Sequence, residues 1–286
     1  MPKIITEDMI EQAAIKALHE RHDYIVLNCM TEEPDTLPDG TGRKDKKQVV
    51  LPNVMFESLC RINPDIPEQT VRTVVDELCR TPVSGDLMLT NYRNYQKIRN
   101  GITVEYNKNG KKTSNILRLL SYNDALSNTF TVASQMWIKG ETHWRRPDLI
   151  IFINGFPMVF IELKNSNIPV KNAYDINLKN YLKDIPYLFN YNQICVLSNG
   201  METRMGSFAA GYEFFFEWLK VENEKENPDR KAIRENCTSL EYFIAGLCEP
   251  NNLLDYIENF ILYDRRRTKI IAKNHQFFGV NNAYNA

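Results

Sequence analysis

Three charged residues flank two apolar runs in the middle of the sequence. Because of their chemistry and their positions, they could form a metal-binding site. Asp148 precedes the run 149–153, and Glu162 and Lys164 follow the run 158–161. Carboxylate oxygens suit Mg²⁺, an ion that usually keeps sites for water and for phosphate oxygens. A nearby ammonium group can neutralise charge on a reacting phosphate. The segment therefore predicts a magnesium site suited to phosphoryl chemistry.

A β-hairpin is the element that must bring these side chains together. The two runs flank Asn154-Gly155, the strongest short-range hairpin signal in a sequence. A loop of two, three or four residues would pair Asp148 opposite Ile161, Glu162 or Leu163, and the turn leaves these alternatives open. In each case Asp148 lies within one residue of Glu162, where side chains are about 4.5 to 8 Å apart. Strand alternation places the lysine on the face of Glu162.

The same spacing also allows an interpretation in which these residues have a purely structural role. Asp148 could cap a strand, and Glu162 and Lys164 could form an ion pair on an exposed face. An exposed strand should alternate polar and apolar residues from its start, whereas this one is almost wholly apolar until Glu162. Buried acids need partners, and a divalent cation would be one. The context therefore favours the metal site.

Residues 146–165, which read RPDLIIFINGFPMVFIELKN, resemble the signature of the restriction subunit of Type I restriction enzymes, members of the PD-(D/E)xK nuclease superfamily. Residues 184–200 are similar to the helix and strand that follow in that family. The resemblance implies an α/β, restriction-endonuclease-like fold with a mixed central sheet flanked by helices and a small helical C-terminal extension. The order of strand, strand, helix and strand also predicts a mixed sheet.

The resemblance implies roles for individual residues. Asp148, Glu162 and Lys164 match the catalytic residues, and the first two match the metal ligands. Glu11, in the first predicted helix, matches an acidic residue that can approach the metal, although a plain surface glutamate remains an alternative. Where the family often has Gln-x-x-x-Tyr, this sequence has Asn177 and Tyr181, which share a helix face and could support the site or contact DNA. The shorter asparagine leaves ordinary helix surface as an alternative.

Basic side chains near this segment could hold phosphates, although a solvated charge is the usual role of any single one. They are Arg145, Arg146, Lys171 and Lys179.

The implied activity is Mg²⁺-dependent endonucleolytic hydrolysis of double-stranded DNA, with Mn²⁺ able to substitute. Partners would be the methyltransferase and specificity subunits of a Type I complex, because nothing in the sequence resembles a base-reading module. ATP would enter only through a motor region absent from this chain. The alternative is a non-catalytic DNA-holding or subunit-docking module with a vestigial nuclease site.

Composition excludes several other classes of protein. The formal net charge of −1 argues against a surface that coats nucleic acid everywhere. The 6 cysteines form no Cys-x-x-Cys pair, and the 4 histidines are dispersed, so neither a zinc site nor a disulfide framework is indicated. Residues 1–20 are too charged for a signal peptide, and no apolar run approaches the roughly 18 residues of a membrane span. We therefore expect a cytoplasmic protein.

A rise in charge density over 221–235 predicts a domain boundary. The resemblance implies a nuclease domain over 1–220 and a charged linker with a helical connector over 221–286, and local patterns predict the order of elements. The predicted elements are a helix over 7–20 capped by Thr6, a strand over 24–27, an exposed excursion over 31–47, two helices, a hairpin with strands 102–106 and 115–120, the hairpin around Asn154, a helix over 172–187, a strand over 193–198, a helix opened by a capping box at 238–241 and a helix over 253–263.

Overall fold

A seven-stranded mixed sheet lies at the centre of the computed structural model, which describes residues 4–80 and 85–285 of the chain. The strands are β1 (Ile25–Asn28), β2 (Ile102–Lys108), β3 (Lys111–Leu117), β4 (Phe130–Ser134), β5 (Ile138–Lys139), β6 (Trp144–Arg145), β7 (Leu149–Ile153), β8 (Phe156–Leu163), β9 (Ile194–Ser198), β10 (Thr203–Gly206), β11 (Phe216–Glu217), β12 (Ile261–Asp264) and β13 (Thr268–Ile271). The central order is β1-β4-β7-β8-β9-β10-β11. Strands β1 and β4, and β8 and β9, run parallel, and the other neighbours run antiparallel. The predicted mixed sheet is confirmed.

Helices surround this sheet and extend to the C-terminal region. They are α1 (Glu7–His22), α2 (Pro52–Ile62), α3 (Glu68–Leu78), α4 (Leu87–Asn100), α5 (Lys179–Asp184), α6 (Arg230–Asn236), α7 (Ser239–Leu247), α8 (Pro250–Asn259) and α9 (Asn274–Asn285). Helix α1 begins where the sequence predicts, because the Thr6 hydroxyl accepts the Met9 N–H at 3.3 Å. Within the described ranges, no helix is long and apolar enough to cross a membrane.

The central strands β7 and β8 are buried along their whole length. Their near-continuous Ile, Val, Leu and Phe composition is typical of strands covered on both faces. Phe160 packs against the rings of Tyr181 and Phe189, at centroid distances of 5.3 and 5.6 Å. Because Phe160 and Glu162 are two residues apart, this aromatic layer covers the face that carries Glu162.

Helix α4 was not predicted, because part of its inward face is polar. Asn91 is fully buried and donates to the carbonyls of Phe189 and Asn192 at 2.7 and 2.8 Å. Asn94 donates to the Asn190 carbonyl at 3.1 Å. These amides satisfy backbone groups in the core, so an apolar periodicity cannot reveal the helix.

Two other helix predictions were partly wrong. The helix predicted over 172–187 is a π-helical segment, Ala173–Leu178, followed by α5 and a 3₁₀ turn at Pro186–Asn190. The helix predicted over 253–263 ends at Asn259 and is followed by the β12–β13 hairpin. In the second case the apolar residues of β12 continued the helical spacing of α8.

The predicted exposed excursion over 31–47 has no helix or strand, but several of its charged side chains are buried. Asp39 accepts hydrogen bonds from Arg43 at 2.6 Å and from Lys46 at 2.7 Å, and all three side chains are at most 3% exposed. Burial by itself would raise the pKa of Asp39. Hydrogen bonds from Lys46 and Thr41 and the charge of Arg43 outweigh burial and hold this pKa well below its usual value. Mutual pairing explains why a charged composition did not mean exposure.

Residues after 221 pack against the earlier elements. The Tyr24 hydroxyl donates to the Cys248 carbonyl at 2.9 Å, and the Tyr95 hydroxyl donates to the Ile257 carbonyl at 3.0 Å. Thr238 stands at the N-cap of α7, but its side chain makes no capping hydrogen bond, so the predicted capping box does not form. The domain boundary at residue 220 stays a prediction.

Candidate active site

The hairpin turn sets the relative position of the two acids. Asn154 and Gly155 form a two-residue turn with φ of 50° and 80°, and Ile153 pairs with Phe156. The register then shifts by one between Phe152 and Ile151, which leaves an extra residue in β8. The two-residue loop was one of the alternatives, but this β-bulge changes the pairing that it would produce.

Beyond the bulge, Leu149 pairs with Ile161. The next position of this register puts Asp148 level with Glu162, the pairing expected for a three-residue loop. The Asp148 carboxylate accepts the Leu163 N–H at 2.7 Å, which ties it to the end of β8. Asp148 is half-buried, and burial raises its pKa to about 6 despite the Leu163 N–H and the Lys164 charge, which both lower it.

Glu162 lies in a less favourable environment than Asp148. It is 2% exposed, its Oε1 is 3.3 Å from Lys164 Nζ, and its Oε2 has no hydrogen-bond partner in residues 4–80 and 85–285. Burial and then the Asp148 carboxylate raise the pKa of Glu162 well above its usual value. The Tyr181 hydroxyl favours the ionised form of Glu162, although it donates to the Arg146 carbonyl at 3.1 Å. An orphaned oxygen on a buried acid needs a partner that this part of the chain does not supply.

Lys164 stands beside both acids and is only 14% exposed. Its ammonium group donates to the Leu163 carbonyl and lies 3.3 Å from Glu162 Oε1. It also lies 3.7 Å from an oxygen of Glu7, in the first turn of α1. The sequence did not indicate Glu7, because the proximity comes from the docking of α1 against the segment after β8.

Four hydrogen bonds dock the start of α1 onto the residues that follow Lys164. Ser166 donates its N–H to the Ile5 carbonyl at 2.9 Å, and its hydroxyl accepts the Ile5 N–H at 3.0 Å. The Asn165 amide oxygen accepts the Glu7 N–H at 2.8 Å, and the Asn165 N–H donates to the Glu7 carboxylate at 3.3 Å. This reciprocal pairing fixes the helix that carries Glu11.

Glu11 lies one turn after Glu7 and is 6% exposed. Burial raises its pKa to about 7, a hydrogen bond from Gln135 lowers it, and the Asp148 carboxylate raises it further. Glu11 therefore faces the site and is no plain surface glutamate. It is a third buried acid with a raised pKa near Asp148.

Gln135 connects two of these acids and was not among the predicted site residues. Its side-chain amide donates to the Glu11 carboxylate and favours the ionised form of Asp148. Its N–H donates to the Asp148 carbonyl at 3.0 Å, and its φ is 55°. A glutamine in the left-handed region is uncommon, so this position carries backbone strain. The only available signal was its place after β4, the neighbour of β7.

Asn177 and Tyr181, the pair predicted to support the site, lie in different environments. Tyr181 is buried, packs on Phe160 and contacts the site through Glu162 and Arg146. Asn177 lies in the π-helical segment and is half-buried. Its side chain makes no hydrogen bond within residues 4–80 and 85–285. Single π-helical turns occur often at functional sites.

The predicted basic residues are mostly paired within the chain. Arg145 donates to Asp184 at 2.7 Å through Nε, which makes it an internal ion pair. Arg146 lies over the Trp137 ring at 4.9 Å and acts on Glu11 as a nearby charge. Lys171 and Lys179 both pair with Asp175, from either side along the helix. Of the four, Arg146 is the one close to the acids.

The acidic cluster fits a hydrated divalent cation better than a fully enclosed metal. In the described ranges, no three His, Cys, Asp or Glu side chains are arranged to hold an ion by themselves. Mg²⁺ typically takes one or two carboxylates and fills its other positions with water and phosphate. Asp148 and Glu162 supply two carboxylates, and the unpartnered Glu162 Oε2 is the atom that a cation would satisfy. The donor set therefore fits Mg²⁺ or Mn²⁺.

A mixed sheet flanked by helices, with two acids and a lysine at the open end of one hairpin, defines an α/β protein with a nuclease-like fold. The family described as Type I restriction enzyme R protein N terminus matches residues 4–214. The chain therefore belongs to this family, and the family predicted from residues 146–165 is confirmed.

Curated relatives agree with the family match. The chain is 34% identical over 293 residues to the Type I restriction enzyme HindI endonuclease subunit of Haemophilus influenzae, covering 98% of this chain and 26% of that subunit. It is 30% identical over 287 residues to the putative Type I restriction enzyme MjaIXP endonuclease subunit of Methanocaldococcus jannaschii, covering 91% of this chain and 27% of that subunit. The chain thus spans about a quarter of the length of these two relatives.

Proposed function

We propose that this chain contains the DNA-cleaving centre of a Type I restriction subunit and hydrolyses phosphodiester bonds of double-stranded DNA with Mg²⁺. The observation that carries this proposal is the buried pair Asp148 and Glu162, with an unpartnered Glu162 oxygen beside Lys164. Acids whose pKa values are raised by burial and by a neighbouring charge are candidates for functional sites. Membership of the family and relatives named as endonuclease subunits support the reaction class.

Each residue has a distinct task in this proposal. Asp148 and Glu162 hold the cation, for which Mn²⁺ can substitute, and Glu11 supports them from α1. Bound Mg²⁺ supplies Lewis-acid polarisation of the phosphodiester. Lys164 donates hydrogen bonds to the phosphate and neutralises its charge. Its position suits this task, because its ammonium group lies 3.3 Å from Glu162, one of the two acids that hold the cation. The Tyr181 hydroxyl opposes the rise in the pKa of Glu162, and the aromatic layer around Phe160 excludes water from that side.

The remaining functions of the enzyme lie outside this chain in our proposal. Sequence recognition comes from specificity and methyltransferase subunits of a cytoplasmic complex, and ATP acts only through a motor region of the full subunit. Arg146 and Tyr181 contact or support the DNA near the cleaved bond. Arg145 acts indirectly, because its ion pair with Asp184 fixes the segment that precedes Asp148.

The test is cleavage of plasmid DNA by the complete enzyme carrying Asp148→Ala or Lys164→Ala. We expect cleavage to fall by roughly 10²- to 10³-fold or more, while ATP hydrolysis stays at the wild-type rate, because the acids and the lysine act only on the phosphodiester. Lys16→Ala is the matched control, because Lys16 is 70% exposed and forms an exposed ion pair with Glu20, away from the acids. Cleavage at the wild-type rate by either site variant would exclude the assignment.

A second candidate function is a DNA-holding or docking module with a vestigial nuclease site. Asn177 favours it, because this residue replaces the family's glutamine and makes no side-chain hydrogen bond to the described residues. Calorimetric titration with Mn²⁺ separates the two candidates. Absence of Mn²⁺ binding, or binding that is unchanged in Glu162→Gln, would support the non-catalytic module.

A further inference from the structure

Three tight turns within residues 4–80 and 85–285 place two consecutive residues in the left-handed region. The β2–β3 turn uses Asn109 and Gly110, with φ of 54° and 78°, and the β7–β8 turn uses Asn154 and Gly155. The β12–β13 turn instead uses Arg265 and Arg266, with φ of 46° and 62°. Its Arg267 N–H donates to the Asp264 carbonyl at 3.0 Å, which closes the turn.

Asn-Gly is the residue pair that such a turn favours, because asparagine tolerates and glycine prefers positive φ. Two arginines gain nothing from this backbone conformation and make the turn less stable than Asn-Gly would. The turn therefore does not explain the presence of arginine, and the inference runs from this backbone outlier to a role for the side chains.

The hairpin that carries the arginines is firmly attached to the sheet. Lys269 of β13 is 3% exposed, and its ammonium group donates to the Asn192 carbonyl at 2.6 Å and to Gln193 Oε1 at 3.0 Å. The Tyr263 hydroxyl of β12 donates to the Asn91 amide oxygen at 2.5 Å. Ordered attachment lowers the entropy lost when the tip binds a partner.

The arginine tip is exposed, and the Arg266 guanidinium lies over the Tyr92 ring at 5.6 Å. Arg265, Arg266 and Arg267 are all exposed, and no ion pair involves them within residues 4–80 and 85–285. By contrast, on the β2–β3 hairpin Lys112 pairs with Glu105 at 2.7 Å and Lys108 lies 4.0 Å from Asp65. The two hairpins therefore both have basic tips, but they differ in turn residues and in pairing.

The arginine tip is separate from the candidate active site. Its anchor points, Asn192 and Gln193, lead into β9, where Ile194 pairs with Val159. Glu162 pairs with Leu197, further along the same parallel pair of strands. The hairpin is therefore attached at the end of β8 and β9 that lies away from the acids.

We propose that Arg265, Arg266 and Arg267 form a second contact with duplex DNA, in which their guanidinium groups bind backbone phosphates; this rests on the proposed function. Guanidinium groups match phosphate oxygens with paired donors. The whole chain has a net charge of −1, so its surface as a whole does not attract DNA. A local basic surface can still bind phosphates.

The double substitution R265N/R266G tests this contact by installing the turn residues of the other two hairpins. Binding of the 286-residue chain to a fluorescently labelled duplex is measured by anisotropy in EDTA over a series of salt concentrations. We expect the slope of log affinity against log salt to decrease in magnitude by about 2, roughly 0.9 for each lost phosphate contact. The melting temperature should be unchanged or raised, because the new turn is less strained.

The matched control is K111Q/K112Q, which removes two charges from the β2–β3 tip. The proposal requires that this control leave the salt slope near the wild-type value. An unchanged slope in R265N/R266G, or equal changes in both variants, overturns the arginine contact alone. If the wild-type chain binds no duplex in EDTA, the arginine contact fails, whereas the cleavage proposal stands or falls with the Asp148→Ala and Lys164→Ala test of the complete enzyme. If the slope is unchanged but R265N/R266G no longer assembles with the methyltransferase subunits, the tip binds protein and not DNA.

Discussion

The two ends of the β7–β8 hairpin satisfy their polar groups to very different degrees. At the turn, the buried Asn154 side chain accepts the Thr129 N–H at 2.8 Å and donates to the Leu119 carbonyl at 3.0 Å and to Asn128 at 2.9 Å. At the open end, the equally buried Glu162 keeps an oxygen without a partner in the described part of the chain. The turn is built for stability, and the open end is not.

The well-satisfied turn explains how the fold supports a charged site that would not be stable by itself. The turn and the bulge fix the register, so that Asp148 and Glu162 are held together although their charges repel. At the open end, holding the acids together in a buried place raises their pKa values. At the turn, packing and hydrogen bonds stabilise the fold. A protein can keep such a site only when the surrounding structure is stable enough to tolerate it.

The largest stability effect should come from Gly155→Ala, at the turn. Gly155 has φ of 80°, and an added Cβ would lie 2.6 Å from the Leu51 carbonyl oxygen and 2.9 Å from the Met55 nitrogen. Both contacts are with backbone that cannot move without disturbing α2. We expect the free energy of unfolding, measured in urea, to fall by about 3 to 5 kcal/mol.

Gly110→Ala is the control for Gly155→Ala, because it has almost the same φ, 78°, but an added Cβ would meet nothing within 4 Å. This substitution should cost only about 1 kcal/mol, which is the backbone penalty of the left-handed region. Equal losses at the two glycines would show that close packing against Leu51 is not what makes the turn end stable.

A smaller effect of the opposite sign is expected at the open end, from Glu162→Gln. Without metal, the folded protein keeps protons that the unfolded chain releases, since the pKa of Asp148 is raised to about 6 and that of Glu11 to about 7. Stability should therefore fall as pH rises from about 4 to 7. At about pH 8, Glu162→Gln should stabilise the metal-free protein by roughly 1 to 3 kcal/mol, and near pH 4 the gain should disappear.

Adding Mn²⁺ should reverse the order of stability of the wild-type protein and Glu162→Gln. Mn²⁺ should raise the melting temperature of the wild-type protein and leave that of Glu162→Gln almost unchanged, because binding to the folded state alone stabilises it. Glu20→Gln is the control, since the Glu20 side chain is 61% exposed and should show neither effect. If Glu162→Gln destabilises the metal-free protein at about pH 8, the open end is not strained by its charges.

The sequence predicted the parts of this comparison that depend on local chemistry. The turn at Asn154, the start of α1 at Thr6 and the acids beside the apolar runs all follow from neighbouring residues. The bulge in β8 was not predictable, because it depends on how two strands pair. For the same reason Gln135 was missed, since only the pairing of β4 with β7 brings it next to Asp148.

Polar groups satisfied inside the core were the other source of error. Helix α4 carries buried asparagines that bond to backbone carbonyls, and the loop over 31–47 buries Asp39 with its own lysine and arginine. In both places a polar residue type normally indicates exposure. For α4, the partner carbonyls lie far along the sequence. In the loop, the partners are nearby charged residues whose types also suggest exposure.

The smallest expected effect tests whether strain at the open end lies in the backbone or in the carboxylates. Gln135→Asn keeps an amide but shortens its reach by one methylene, and asparagine tolerates the observed φ of 55° better than glutamine does. The free energy of unfolding should stay within about 0.5 kcal/mol of wild type or rise slightly. The Mn²⁺ dissociation constant, measured by calorimetry, should increase by about tenfold, because Glu11 and Asp148 lose the group that positions them.

Gln135→Gly provides the second arm of this test, because it removes the amide and relieves the backbone strain completely. If the amide positions the acids, both variants should bind Mn²⁺ equally weakly although their stabilities differ. If instead metal affinity follows stability across the two variants, Gln135 has only a structural role at the end of β4. In that case the contrast between the two ends of the hairpin rests on Asp148 and Glu162 alone, and burial together with the Asp148 carboxylate accounts for the raised pKa of Glu162.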